Sequence, residues 1–222
     1  MIERYAMPPR HSILPRERFF DLVLCPKGLR NRPEWNPGRN PLLIREGYAY
    51  VDKSRLIQSV LDSSAKVLLL PRPRRFGKTL NLSMLRAFFD RDTPGSAELF
   101  RGLAIERAGE AYTAHRGRYP VVFLTLKDIK TNNWENCLGH LRQVIATECY
   151  RHEWLLDGNI LNAEEQELFL AIKGRRASQY ELEASLSHLL IWLERATGER
   201  VVLLIDEYDT PIHAGYQSGF YE

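Results

Sequence analysis

Lys66-Val-Leu-Leu-Leu-Pro-Arg-Pro-Arg-Arg-Phe-Gly-Lys-Thr-Leu80 joins a continuous apolar run, a basic proline-containing turn and the start of an amphipathic pattern. The run Val67–Leu70 reads as a strand buried on both faces, as in a parallel sheet. Leu82, Leu85, Phe88 and Phe89 recur at helical spacing, so Leu80–Phe89 reads as a helix. Strand, glycine-containing turn and helix make a place for phosphate. Gly77 lets the backbone approach phosphate oxygens, and the helix offers its N-terminal N–H groups and positive dipole end. Gly77-Lys78-Thr79 matches the tail of the phosphate-binding loop G-x-x-x-x-G-K-[ST]. Lys78 suits the β- and γ-phosphates, and the Thr79 hydroxyl is a hard oxygen ligand for Mg²⁺. Arg72 stands where that pattern has its first glycine, so the loop must be held differently there.

A second stretch, Val201-Val-Leu-Leu-Ile-Asp-Glu207, is an apolar run ending in two acids, the Walker B pattern. A buried strand would carry Asp206 to the C-terminal edge of the sheet, where α/β proteins bind ligands. Asp206 would hold Mg²⁺, and Glu207 would act as general base toward a water. Arg74 and Arg75 either clamp phosphate through their planar guanidinium groups or lie solvated beside nearby carboxylates. Asp209, Thr210 and Pro211 are expected to start a turn or helix.

Between these stretches the pattern alternates. Asp52 is expected to cap a helix with Leu56, Ile57, Val60 and Leu61 inward, and Tyr119–Leu126 reads as another buried strand. Asn133–Glu153 is a helix with an apolar stripe of Trp134, Leu138, Leu141, Ile145 and Cys149. Asn162 caps a further helix, and Ser178-Gln-Tyr-Glu181 is a capping box for one ending at Gly198. The expected class is α/β, a P-loop NTPase-like, mostly parallel sheet flanked by helices.

The 222 residues suit one ordinary domain. Residues 1–41 differ from the rest: the first 40 hold six of the twelve prolines and eight Lys and Arg, and read as an irregular arm. Only Phe19–Leu24 has the makings of a short element there. The net charge of +3 divides into +10 over residues 1–150 (25 basic, 15 acidic) and −7 over 151–222 (6 basic, 13 acidic). The basic front half suits phosphate-bearing partners. No apolar run reaches the roughly 20 residues that span a bilayer, and Met1–Pro15 has no secretory core, so no membrane partner and a cytoplasmic location are expected. Cys25, Cys137 and Cys149 show no paired spacing, and the six histidines no metal-binding motif. Asp128-Ile-Lys130 resembles half of a nuclease site but lacks a matching upstream carboxylate.

Three stretches resemble the predicted AAA-ATPase-like proteins that usually carry a PD-(D/E)XK nuclease-like domain after the ATPase part. They are Ile44–Lys53 (IREGYAYVDK), Leu70–Thr79 (LPRPRRFGKT) and Leu204–Ile212 (LIDEYDTPI), with Tyr119–Trp134 fitting the middle segment. That family shares the R-P-R-R-F-G-K-[ST] form without the first glycine. The resemblance covers about 42–222 and implies an ATP- and Mg-dependent P-loop domain. It implies a phosphate loop of Arg74, Arg75, Phe76, Gly77, Lys78, Thr79 and Leu80, Thr79 and Asp206 on the metal, and Glu207 as catalytic base. It also leaves two other readings open: a module that holds nucleotide or nucleic acid without turnover, and an inactive truncated remnant. Nucleic acid would be the partner of the nuclease-like domain, which this sequence lacks. In such ATPases a strand that follows Walker B lies between the Walker A and Walker B strands. Tyr208–Glu222 has no run to fill that slot, so the fold is expected to be incomplete at its C-terminus. Either Val67–Leu70 pairs directly with Val201–Ile205, or an open seam leaves unpaired backbone groups and promotes self-association.

Overall fold

A computed structural model describes residues 22–25, 52–70 and 77–221. Its strands are β1 (Leu22–Cys25), β2 (Val67–Leu69), β3 (Val121–Thr125) and β4 (Val202–Asp206). The main helices are α1 (Arg55–Leu61), α2 (Lys78–Phe89), α3 (Trp134–Arg151), α4 (Ala163–Lys173), α5 (Gln179–Thr197) and α6 (Asp209–Ser218). The four strands form one parallel sheet in the order β2-β1-β4-β3, an α/β arrangement.

The slot between β2 and β4 is filled, and from an unexpected direction. Strand β1, from the proline-rich arm, pairs with both neighbours: Val23 is in register with Leu68 and with Leu204, and Cys25 with Asp206. The expected choice between direct β2–β4 pairing and an open seam is therefore corrected. Backbone groups on both sides of the gap have a ladder partner, which matters because each buried group left unpaired costs about 1–3 kcal/mol.

Alternation along β3 and β4 distributes side chains to two cores. Val121, Val202 and Leu204 meet Ile57, Leu82, Leu85 and Phe88 from α1 and α2. Val122, Leu124, Val201 and Leu203 meet Ile145, Phe169, Leu189, Trp192 and Leu193 on the other face. Strand β2 departs from the expectation of burial on both faces. Leu68 and Leu70 pack on the first core, whereas Val67 and Leu69 are about half exposed. An unbroken apolar run does not say whether its strand is central, and β2 lies at the edge of the described sheet.

Local capping follows the sequence closely in the second half. Asn133 caps α3 through the Asn136 N–H, and full capping boxes start α4 (Asn162, Glu165) and α5 (Ser178, Glu181). Gly198 ends α5 in the left-handed conformation. Two details differ. Ser54, not Asp52, is the N-terminal flanking residue of α1, while the Asp52 carboxylate accepts from Ser54 N–H and Ala104 N–H. Trp134 is 47% exposed, so the apolar stripe of α3 begins later than expected.

Strand β3 has an outer edge that α3 covers with charge. The Phe123 N–H donates to Glu148 Oε2 at 3.1 Å, and the Val121 carbonyl accepts from Arg151 at 3.3 Å. Arg151 also binds Glu148 at 2.7 Å and Asp90 at 2.9 Å. Two side chains thus take the hydrogen bonds that a further strand would make. His152 lies fully buried beside this cluster, its Nε2 3.9 Å from Glu148 Oε2. Burial above all, and then the neighbouring Arg151 charge, pushes its pKa down to about 4.

Unfolded His152 binds a proton near pH 6.5, whereas the folded chain refuses it until about pH 4. The imidazole therefore contributes stability that is complete above pH 6.5 and lost progressively on acidification through that window, about 3 kcal/mol in all. Burial raises the Glu148 and Asp90 carboxyls, and these act in the opposite sense as pH falls. Urea unfolding of wild type and His152→Asn across pH 7 to 4 separates the two. The difference in stability between the proteins should shift toward the variant by about 3 kcal/mol; a constant difference would remove the role given to His152.

Candidate functional site

Strand β2 runs toward a loop whose residues Pro71–Phe76 lie outside the described residues, and with them the expected phosphate contacts Arg74, Arg75 and Phe76. The described site begins at Gly77, which has φ +71° and precedes α2. That left-handed backbone favours glycine. Gly77 brings no side-chain cap to α2, and the first turn of the helix, Lys78-Thr79-Leu80, holds no acid. An anion would be favoured there by the helix dipole. Lys78 is 8% exposed, which is unusual for a lysine.

Lys53 also belongs here. Its Nζ stands 3.8 Å from the point a Cβ on Gly77 would occupy. Asp52 and Ser54 hold this segment by accepting from the Ala104 and Ile105 N–H groups. Sequence reasoning gave Lys53 no role, although it closes one of the family-like stretches. Its proximity to Gly77 is set by tertiary contact across 23 intervening positions, and no local periodicity reports it.

The second half of the site comes from β4. The Thr79 hydroxyl donates to Asp206 Oδ2 at 2.8 Å, so the start of α2 and the end of β4 meet across 127 residues of sequence. Asp206 is 1% exposed, and its other oxygen, Oδ1, is buried without a hydrogen-bond partner. Burial raises the Asp206 carboxyl above the ordinary carboxylate range; the Thr79 hydrogen bond pulls it down, and the neighbouring Glu207 charge pushes it up. A buried carboxylate oxygen with no partner, beside a threonine hydroxyl, suits a small hard cation with oxygen ligands such as Mg²⁺.

Glu207 follows with φ +53°, a backbone conformation that a non-glycine residue adopts only when its surroundings enforce it. It is 7% exposed, and the Thr210 hydroxyl donates to its Oε2 at a long 3.4 Å. Asp209-Thr-Pro starts α6, as expected. Leu80 lies in the first turn of α2 and packs against the first core. The structure therefore brings together Gly77, Lys78, Thr79, Asp206 and Glu207, with Lys53 added.

Other candidates stay apart from this site. Asp128 is exposed, and its carbonyl accepts from the Lys130 N–H in a tight turn. Cys137 and Cys149 are free and buried, and burial pushes the Cys149 thiol up to about 12, far from a reactive thiolate. Among the described residues, no three of His, Cys, Asp and Glu gather to hold a metal, and no helix is long and apolar enough to cross a membrane.

Comparison with known proteins places the chain in a family. A protein of Azotobacter chroococcum mcd 1, described as an uncharacterized protein in the vnfD 5' region, is 32% identical over 171 residues. The match takes in 76% of this chain but only 27% of that protein's length. No solved structure matches. The family model for predicted AAA-ATPases matches residues 41–221, which include the Gly77–Thr79 turn, Asp206 and Glu207, and the chain belongs to that AAA-ATPase-like family.

Proposed function

We propose that the chain is a P-loop NTPase-fold domain that binds Mg-ATP across the ends of β2 and β4 and hydrolyses it. The observation that carries this reading is the Thr79–Asp206 hydrogen bond, which joins the two half-motifs at 2.8 Å. When bound, Mg-ATP supplies an electrophilic terminal phosphoryl group. Lys78 neutralises phosphate charge, with Lys53, whose Nζ stands 3.8 Å from the Cβ point of Gly77, a second cation. The Thr79 hydroxyl and the Asp206 carboxylate offer hard oxygens to the cation. Glu207 accepts the proton of the attacking water, and its turn-forced backbone holds it beside Asp206. Sheltered charges and dipoles of this kind stabilise developing charge better than solvated ones.

The test is ATP turnover by the parent and by Glu207→Gln, alongside calorimetric binding of Mg-ATP to both. The amide keeps the shape and loses the basicity, so binding should persist while turnover falls by about 10²–10⁴. Equal rates would remove Glu207 as the base. Binding by a parent that shows no turnover would make the domain a nucleotide-holding module.

A further inference from the structure

The C-terminal edge of the sheet carries a second concavity, on the β3 side of β4. It is a cleft of about 820 Å³ between the loop and helix that follow β3 and the helix that follows β4. That volume lies within the range of about 300–1,000 Å³ of ordinary ligand sites. Lys130, Asn132, Asn136 and His140 line one wall, and Thr210 and Gln217 the other. Among the described residues, no carboxylate lines it. Its described lining holds the Lys130 ammonium and the His140 imidazole, and the remainder are amides, hydroxyls and one alanine methyl.

This chemistry selects its ligand. A carboxylate-free lining with a lysine favours an anion over a cation or a basic peptide. Three side-chain amides in one cleft, each able to donate and accept together, match the paired donors and acceptors on base edges. Lys130 and Asn136 are exposed, so a ligand can reach them without rearrangement of the core. We infer that this cleft binds a single-stranded nucleic acid, with Lys130 on the phosphodiester backbone and Asn132, Asn136 and Gln217 on base edges. The strand would lie beside the Asp206–Glu207 end of β4. Thr210 belongs to both places, lining the cleft and donating to Glu207 at 3.4 Å.

The experiment is fluorescence anisotropy of labelled mixed-sequence single-stranded DNA and RNA with the full chain and no nucleotide, so that it stands apart from the ATP reading. A saturable rise is expected at low salt, weakening as salt increases. Lys130→Glu and Asn136→Ala should each weaken it by about 10-fold. Arg101→Glu, the same change of charge at an exposed position that does not line the cleft, should leave it unchanged. Thermal melts of each variant check that the fold is kept. Absence of saturable binding to either strand would overturn the proposal. So would an equal loss in Lys130→Glu and Arg101→Glu, or displacement by poly-glutamate as effective as by unlabelled strand, which would mark a general anion surface. Displacement of the strand by Mg-ATP in proportion to occupancy of the Gly77–Thr79 site would also overturn it, by placing both ligands at one site.

Discussion

Lys78→Ala should weaken Mg-ATP binding by about 10- to 100-fold, measured by titration calorimetry against the parent. The reasoning is local. The ammonium sits at the first turn of α2, buried to 8% exposure, immediately after a left-handed glycine. A charge-assisted hydrogen bond to phosphate in such a place is worth about 1.5–3 kcal/mol, which converts to that range of affinity. Lys53 stands beside Gly77 and keeps some positive charge in the site, so binding should be weakened rather than erased. Adding Lys53→Ala to the variant should remove most of what remains. Equal affinity in parent and Lys78→Ala would take the phosphate site away from this turn altogether.

Glu148→Ala should destabilise the fold by about 3–5 kcal/mol. The substitution leaves the Phe123 N–H of β3 without its acceptor and strips Arg151 of one of its two carboxylates. Breaking one partner of a buried pair is costly because the other charge stays behind, here with Asp90 as its remaining carboxylate. For a chain of this length that loss lowers the melting temperature by roughly 6–20 °C. Glu148→Gln should be milder, since its carbonyl oxygen still accepts from Phe123. Replacing the pair together by Leu at 148 and Met at 151 should not recover the loss, because it also takes from the buried Asp90 its 2.9 Å partner and leaves it Arg86 at 3.7 Å. A melting temperature for Glu148→Ala equal to that of the parent would show that α3 does not secure the edge of β3.

Much of this molecule was legible as local pattern. The cap at Asn162, the capping box at Ser178, the glycine stop at Gly198 and the helical start at Asp209 depend on residues within one turn of each other, and the structure has all of them. The buried apolar runs of β3 and β4 and the end of β4 at Asp206 are of the same kind. Residue type also singled out Gly77, Lys78, Thr79 and Asp206 as one constellation, and the Thr79–Asp206 hydrogen bond joins its two halves.

Tertiary structure alone decided the rest. Strand β1 comes from a proline-rich arm with little periodicity, and four residues hold too few positions for a pattern to declare a partner; its place between β2 and β4 exists only as two ladders of backbone hydrogen bonds. The half-exposure of Val67 and Leu69 follows from an edge position that an apolar run cannot express. Lys53 beside Gly77, and Glu148 with Arg151 on the rim of β3, are meetings of distant segments. Sequence by itself determined the elements and the chemistry they carry, because capping, turn geometry and periodicity act over a few residues. Only the packed sheet decided which strand fills the centre, which edge needs charge to close it, and which cations face the glycine turn. Those depend on distances through space between segments dozens of residues apart.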